Sequence, residues 1–400
     1  MDDINETINV YQGDAQTSKT VDEVKKIISQ ALQMENLSIL MGAGCSSYYM
    51  KKDDDETEKE YGISTMAGLF NDFMEKNSDF KILNEDISQK VNNNLEELMD
   101  FMNAVKQVNN ISCVDKEIDS KIDTVKKFIT EKIMEGMNCD ELASLYKKFY
   151  IKTISSNRKT PINIITTNYD MYNERALDEL NFVYNNGFTG AYKRVFNPNT
   201  YRFMYVDNMN LQKDIWTRVE HFYNLYKIHG SLSWKKNGEE ILEVSADKYN
   251  DEDYKNVMIY PTPLKDRSTL MVPYTDLMRN FQDNLMRKNS VLITLGYSFG
   301  DDHINRIILN NLSIPSFRLI ILGETETSHN GVKAQTHIGK IREMGDSRIT
   351  IINSPNKVHY FKNFVNQLMP SIASEDEEQK MTEKINQVLF DLSSRGSEDE

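Results

Sequence analysis

The sequence predicts an α/β protein in which a mostly parallel sheet carries helices on both faces. Two observations predict this fold class. Seven short apolar runs are rich in β-branched residues, and most end in Gly, Asn, Ser or Pro, as buried strands do. Segments 166–180 and 303–312 follow such runs directly with helical spacing, and repeated strand–helix succession is typical of parallel sheets. The predicted strands are Leu37–Met41, Ile162–Thr166, Leu225–Ile228, Val257–Tyr260, Val291–Leu295, Leu319–Leu322 and Ile349–Ile352.

The amino-acid composition argues against several classes of function. The 400 residues are 39% hydrophobic and 27% charged, which is enough for an ordinary core. The net charge is −14, so we expect no direct binding of nucleic acid. The three cysteines form no C-x-x-C pair, which argues against zinc ribbons, iron–sulfur clusters and disulfide frameworks, and we expect no metal. An acidic N-terminus and the lack of any apolar run near the ~18 residues of a membrane span predict a cytoplasmic protein.

The chain is predicted to form one main domain with an insertion and a tail. The domain covers 1–370, and apolar residues at helical intervals over about 61–155 predict a helical insertion beside the sheet. Crossover helices of a larger sheet are the alternative for this stretch. The charge run Lys51–Glu60 reads as a solvated loop. Residues 371–400 form a predicted acidic helix or tail, which docks either on its own chain or on a partner.

The first strand ends in the sequence GAGCSS at 42–47. Its two glycines permit a tight turn and close approach to a pyrophosphate, and a helix starting near Ser46 or Ser47 would point its N–H groups at that anion. A tight turn without a ligand is the alternative. Ser47 stands where a dehydrogenase fingerprint has its third glycine, which disfavours simple hydride transfer, and the chain contains no GxxxxGK[ST] phosphate loop.

Three more strands end in polar motifs. They are TTNYD at 166–170, KIHGS at 227–231 and GYSFGDD at 296–302. Asp170 is also a natural helix cap, and a lone histidine such as His229 is usually structural. Because the carboxyl ends of parallel strands share one edge, we expect all four motifs to meet in one crevice.

At this point the chain resembles a known family. The ordered motifs GAGCSS, TTNYDMYNERAL, KIHGSLSW and LGYSFGDDHINRII look like the sirtuin-like domain, in the bacterial branch that hydrolyses NAD+ in antiphage defence. The resemblance implies a Rossmann-like fold with NAD as the substrate. It implies catalytic roles for Asn168, His229 and Asp170. It also implies dinucleotide contacts from Gly42, Ala43, Gly44, Ser46, Thr166, Thr167, Gly296 and Ser298.

The expected chemistry is release of nicotinamide through an oxocarbenium-like state. Asn168 would orient the ribose or a water through an amide that both donates and accepts. His229, with an unperturbed pKa of about 6.5, would act as general base. Asp170 would steady positive charge, cap its helix, or do both. For Cys45, a packing role is favoured over a thiol of lowered pKa.

Two features of deacylating sirtuins are missing: their Gly-Ile-Pro-Asp-Phe-Arg segment and their zinc module. A protein deacylase and a non-catalytic NAD or ADP-ribose sensor remain the alternatives, and the product could be linear or cyclic ADP-ribose. We expect the activity to be controlled by homo-oligomerisation or by a partner. In its size and lack of appended domains, the chain resembles stand-alone sirtuin-like antiphage proteins encoded beside a DNA-translocating ATPase of the HerA type, and this resemblance implies such an ATPase as the partner.

Overall fold

The computed structural model describes residues 7–51, 58–82, 91, 94–109, 115–154, 158–208, 218–219, 221–249, 255–258, 272–329, 332–354 and 357–371. Its strands are β1 (Ile8–Gln12), β2 (Ala15–Lys19), β3 (Asn36–Met41), β4 (Ser47–Lys51), β5 (Glu58–Gly62), β6 (Ile162–Thr166), β7 (Val183–Asn185), β8 (Phe188–Thr189), β9 (Val195–Phe196), β10 (Phe222–Lys227), β11 (Gly230–Asn237), β12 (Glu240–Glu243), β13 (Lys255–Met258), β14 (Ser290–Leu295), β15 (Arg318–Leu322), β16 (Glu326–His329), β17 (Val332–Gln335) and β18 (Ile349–Asn353).

Its helices are α1 (Val21–Leu32), α2 (Met66–Lys76), α3 (Leu95–Asn109), α4 (Ile118–Gly136), α5 (Asp140–Lys152), α6 (Tyr172–Glu179), α7 (Tyr274–Leu285), α8 (Asp302–Asn310), α9 (His337–Arg342) and α10 (Phe361–Asn363). Short helical turns at Ala43–Cys45 and Phe364–Leu368 add to these.

The nine-stranded central sheet confirms the predicted fold class. Its order is β2-β1-β18-β15-β14-β3-β6-β10-β7, and every pair from β18 to β7 is parallel. Strands β1 and β2 extend one edge in antiparallel fashion. Six of the seven strands predicted from the sequence lie in this sheet.

The seventh predicted strand lies elsewhere. The run that begins at Val257 belongs to β13, which pairs antiparallel with β11 in a second sheet ordered β13-β11-β12-β9-β8, and residues 259–260 lie outside the described residues. The reason is that the chain turns out of the central sheet after β10 and continues as β11, so β13 finds its partner there. Periodicity alone could not distinguish the two sheets.

Both faces of the central sheet are buried, which explains its near-continuous apolar strands. In β3, Leu37, Ile39 and Met41 join one core with α1, α5 and α6, whereas Leu40 points into the opposite core with α7, α8 and α9. The alternation follows from the two-residue repeat of a strand. Burial of each such side chain contributes about 1.5–3 kcal/mol.

The segment predicted as a helical insertion divides into two parts. Helices α2, α3 and α4 bury their apolar faces in a third core, which also contains Tyr169, Leu232, Tyr249 and Met258 from outside the insertion. Helix α5 instead packs Leu142, Tyr146 and Phe149 into the core of the central sheet. Helix α5 is therefore one of the helices that cover the central sheet, as the alternative prediction stated. The reason is that its apolar stripe faces the sheet and not α2–α4.

Two other predictions concern charged segments. The charge run Lys51–Glu60 is not wholly a loop, since its ends belong to β4 and β5, which pair as an antiparallel hairpin; residues 52–57 lie outside the described residues. The acidic tail, from residue 372 onward, also lies outside them. Within the described part of the chain, no helix combines the length and the apolar character needed to cross a membrane.

The sheet has a topological switch point between β3 and β14. From β3 the chain continues to β6 on one side, and from β14 it continues to β15 on the other. The loops after the two strands therefore diverge and leave a crevice at their carboxyl ends, which is where open α/β sheets bind ligands.

Glycines let these two loops touch through their backbones. Gly44 N–H donates to Gly296 O at 3.0 Å. A Cβ on Gly42 would lie 2.4 Å from Gly296 O, and one on Gly44 would lie 2.8 Å from Gly296 Cα. Gly296 itself has φ +59°, and a Cβ there would lie 2.7 Å from Cys45 N. No side chain fits between the loops.

We predict that Gly296→Ala destabilises the fold far more than Gly238→Ala. Both glycines have left-handed φ, +59° and +60°, but a Cβ on Gly238 would meet nothing within 4 Å. Gly238→Ala should therefore cost only the backbone strain of about 1–2 kcal/mol, and Gly296→Ala should cost ~2 kcal/mol more through collision with Gly44 and Cys45. Equal losses of unfolding free energy in urea titrations would show that the loops are not in contact.

Candidate active site

The four polar motifs at strand ends meet around one cavity of about 380 Å³ at the switch point. This volume lies within the range of small-molecule sites. Residues from all four motifs line it. Those singled out from the sequence are Ala43, Gly44, Ser46, Thr167, Asn168, Asp170, His229, Gly296 and Ser298.

Gly42 and Thr166 were also expected to contact the dinucleotide, but they do not line this cavity. Gly42 is needed for the contact with Gly296. The Thr166 side chain is fully buried; its Oγ1 donates to Met41 O at 3.0 Å and accepts from Asn168 N–H at 3.0 Å. Both residues therefore act on the site by holding its backbone.

The glycine turn differs from the prediction in one respect. Ala43–Cys45 form a single 3₁₀ turn, and the chain then enters strand β4, so no helix starts near Ser46 or Ser47. The N–H groups of Gly42, Gly44, Cys45 and Ser46 all donate to backbone carbonyls. The expected cradle of free N–H groups for an anion is thus not formed by this turn, because the pairing of β4 with β5 requires extended backbone from Ser47.

The amide of Asn168 has a defined orientation. Its Nδ2 donates to Gly42 O at 2.8 Å and to Ser46 Oγ at 2.8 Å. A carbonyl oxygen can only accept, so the nitrogen must face Gly42. Both N–H bonds are used inside the protein, and Oδ1 is the atom left to accept a hydrogen bond from a bound molecule. The amide was expected to donate and accept; here it offers acceptance alone.

Ser46 connects Asn168 to Asp170. The Ser46 hydroxyl accepts from Asn168 and donates to Asp170 Oδ2 at 2.5 Å. Asp170 Oδ1 accepts from Tyr172 N–H, the first residue of α6, at 3.1 Å. Asp170 is 2% exposed. Its carboxylate therefore caps the start of α6 and anchors Ser46, and Ser46 in turn fixes the Asn168 amide.

His229 lies where the chain leaves the central sheet. It is 4% exposed, it follows β10, and it precedes Gly230, whose φ is +89°. A Cβ on Gly230 would lie 2.1 Å from Val257 O, so only glycine permits this turn. The His229 ring lies 5.6 Å from the ring of His303 in α8, centroid to centroid. His303 lies in the motif LGYSFGDDHINRII, but no role was predicted for it.

A buried ion pair supports the loop that carries Asn168 and Asp170. Lys227 is 1% exposed; its Nζ contacts Glu174 Oε1 at 3.0 Å and donates to the backbone carbonyl of Asp170. Breaking one half of such a pair typically costs 3–5 kcal/mol. The sequence analysis assigned no role to Lys227, although a charged residue inside the largely apolar run LYKIHG could have indicated one.

The helical insertion forms one wall of the cavity. Ile63, Thr65, Met66 and Leu69 line it from the segment that enters and begins α2. Tyr169, next to Asn168, is buried in the core of the insertion. These residues were not predicted, because helical periodicity shows which face of a helix is apolar but not which other part of the chain it covers.

Cys45 is a packing residue, as the sequence favoured. It is fully buried, and its thiol donates to Leu295 O at 3.3 Å. Burial raises the pKa of the Cys45 thiol well above its usual range, and the nearby Asp170 carboxylate raises it further. The thiol is therefore protonated and unreactive. Among the residues that the structure describes, no group of three or more His, Cys, Asp or Glu side chains could hold a metal ion.

Comparison with known proteins relates part of the chain to one family. A family model described as a SIR2-like domain matches residues 162–319, which is less than half of the chain. The match includes Asn168, Asp170, His229 and Gly296 but not the glycine turn at 42–46. It supports a sirtuin-like protein and, since members of this family are NAD-dependent enzymes, an NAD-related activity. The search of curated proteins found no match.

We predict that Cys45 resists alkylation in the folded protein. After treatment with iodoacetamide at pH 8 under native conditions, peptide mass mapping should show Cys139, which is partly exposed, modified and Cys45 unmodified. Both should react after denaturation. If Cys45 reacted as fast as Cys139 in the native protein, the thiol would be ionised at the cavity and its packing role would be wrong.

Proposed function

We propose that this chain hydrolyses NAD+ to nicotinamide and ADP-ribose. One observation carries the proposal: Gly44, Asn168, His229 and Ser298 come from four distant parts of the sequence and line a single cavity at the switch point of a parallel sheet. The SIR2-like match over 162–319 supports use of NAD.

The residues present fit the nicotinamide riboside half of NAD+. A ribose offers hydroxyl donors, and the cavity offers acceptors in Asn168 Oδ1 and the imidazole of His229. The phosphates would need donors other than the amides of the glycine turn, since four of these already bond to carbonyls. This half of the site therefore departs from the usual arrangement in which a helix N-terminus receives the pyrophosphate.

The chemistry needs little acid catalysis. Nicotinamide leaves NAD+ as a neutral molecule with the electron pair of the glycosidic bond, and C1′ of the ribose develops oxocarbenium character. A water molecule then forms the new C1′–O bond and loses one proton. The site must therefore orient the ribose, admit one water and accept that proton.

We assign these tasks to two side chains. Asn168 Oδ1 accepts from the ribose hydroxyl or from the attacking water, and its fixed orientation removes the cost of ordering the amide during the reaction. His229 accepts the proton as general base. Ser46 and Asp170 also line the cavity, and we assign them a positioning role because their hydrogen bonds hold the Asn168 amide in place.

We predict that Asn168→Ala and His229→Ala each reduce nicotinamide release by at least about a hundredfold, the usual effect of losing an orienting or basic group. Nicotinamide and ADP-ribose are to be followed by chromatography with the purified chain and NAD+.

Matched controls are the exposed residues Asn199 and His337, whose alanine variants should retain full turnover. Circular dichroism and melting temperature should show that the Asn168 and His229 variants remain folded. Turnover near that of the wild type in both folded variants would remove these assignments. If calorimetry shows that the wild type binds NAD+ but no product forms, either alone or with the HerA-type ATPase, the result would favour a sensor. Release of acyl groups from lysine peptides would favour a deacylase.

We also propose that the activity serves antiphage defence by depleting cellular NAD+ and is controlled by assembly. The resemblance of the four ordered motifs to stand-alone sirtuin-like defence proteins supports this proposal. The partner would be a HerA-type DNA-translocating ATPase, which would supply the ATP-binding loop that this chain lacks.

We predict that light scattering of the purified chain gives a mass above the 46.4 kDa monomer and that adding the HerA-type ATPase gives a larger, discrete complex. Homo-oligomers with closed symmetry are the common outcome for such assemblies. A 46.4 kDa species that is unchanged by the ATPase would contradict the proposed control.

A further inference from the structure

A second cavity of about 560 Å³ is lined by Met171, which directly follows the segment 167–170 of the candidate active site. Helix α6, the β7–β8 segment and the end of β12 border it. It shares no lining residue with the first cavity. The two cavities therefore have separate walls, although residues 167–170 line the first and Met171 and α6, which follow directly in sequence, line the second.

Acidic groups dominate this second cavity. Glu174, Asp178 and Glu243 line it, and in the described part of this wall Arg194 is the one cation that does so. Arg194 Nε contacts Glu243 Oε2 at 2.5 Å, so these two charges compensate each other. Glu174 is paired with Lys227 behind the wall, and Asp178 accepts a hydrogen bond from Tyr184. The formal charge of these groups together is negative.

One carboxylate oxygen in the wall is left without a partner. Glu174 is 4% exposed, and although its Oε1 contacts Lys227, no donor among the described residues bonds its Oε2. The Thr200 hydroxyl, also in the wall and 3% exposed, likewise has no hydrogen-bond partner within the part of the chain that the structure describes. Buried polar atoms without partners are rare in folded proteins and point to an external group that completes them.

The electrostatic field of the carboxylates reaches the surrounding tyrosines. Burial raises the pKa of Tyr184, and Glu174, Asp178 and Glu243 raise it further. Burial likewise raises the pKa of Tyr249 to about 12, with added contributions from Glu174 and Glu243. Glu174 has a raised pKa too, because burial outweighs the stabilisation by Lys227. A further positive charge here would therefore be stabilised.

We infer that this cavity is a binding site for a small organic cation with an amine or guanidinium head group. The head group would donate to Glu174 Oε2 and lie near Asp178. Its aliphatic stem would contact the aromatic rings of Phe188 and Tyr205, which also line the cavity and attract cations through their π faces. Arg194 and Lys227 compensate Glu243 and Glu174, but the remaining Asp178 charge makes the group negative overall and disfavours an anion, and a neutral molecule would leave the Glu174 carboxylate half-satisfied.

The inference is tested by calorimetric titration of the full chain with agmatine and with cadaverine at constant ionic strength. We expect one site per chain, with a dissociation constant of about 1 mM or lower. Uncharged 1-pentanol and anionic glutarate serve as matched probes of similar length and should not bind. Because no NAD+ is present, the result does not depend on the proposed hydrolysis.

Two variants locate the site. Glu174→Gln should weaken binding at least about tenfold, since it removes a charge-assisted hydrogen bond. It also leaves Lys227 without its counter-charge and could fail to fold. Thr189→Lys avoids this difficulty, because Thr189 is exposed at the cavity mouth and a lysine there places a tethered ammonium group among the carboxylates. It should abolish agmatine binding in a folded protein.

Glu179→Gln is the matched control. Glu179 lies on the same helix but contacts Lys147 and Arg175 outside the cavity, so binding should be unchanged. No heat of binding from either cation up to about 10 mM would overturn the inference. So would equal affinity in wild type, Thr189→Lys and Glu179→Gln, which would indicate general attraction to an acidic surface, or equal binding of 1-pentanol.

Discussion

The active-site crevice depends on the contact of two backbones at the switch point. The turns after β3 and β14 touch through Gly42, Gly44 and Gly296, with no room for a side chain between them. This contact sets how far the two loops can diverge and hence where the crevice opens. It also consumes the amides that a dinucleotide-binding turn would normally offer, because Gly42 and Gly44 donate to carbonyls of the neighbouring loop. These glycines therefore allow the two loops to pack closely and contribute less to direct binding of an anion.

A short series of hydrogen bonds connects these loops to the side chains of the active site and orients them. Asn168 is held by Gly42 O and by Ser46, Ser46 is held by Asp170, and Asp170 is held by the start of α6. Both N–H donors of the Asn168 amide are used, so the amide has one orientation and its oxygen is the group left to accept a hydrogen bond. Beneath it, Lys227 binds the carbonyl of Asp170 and pairs with Glu174. Asp170 lines the first cavity and Glu174 lines the second, so Lys227 contacts one residue from the wall of each.

Much of this could be predicted from the sequence. The strand-end motifs were visible because buried strands are continuous apolar runs, and polar residues directly after them must lie at the sheet edge. Asn168 and His229 could be singled out on that basis and from the resemblance. The roles of Ser46 and Asp170 in this series of hydrogen bonds could not be predicted. The two residues are 124 positions apart in sequence, and only folding brings them into contact. Likewise, α5 and α4 have similar periodicity, yet one packs on the sheet and the other on the insertion.

The sequence by itself determined the class of fold, the order of the strands along the chain and the identity of the polar groups at their ends, because these follow from local periodicity and local turn chemistry. The tertiary structure alone decided which polar atoms are available to bind a ligand. It paired the amides of the glycine turn, oriented Asn168, enclosed the crevice with the insertion and left Glu174 Oε2 without a donor in a second cavity. The physical reason is that hydrogen-bond satisfaction is a property of neighbours in space, and those neighbours are far apart in sequence.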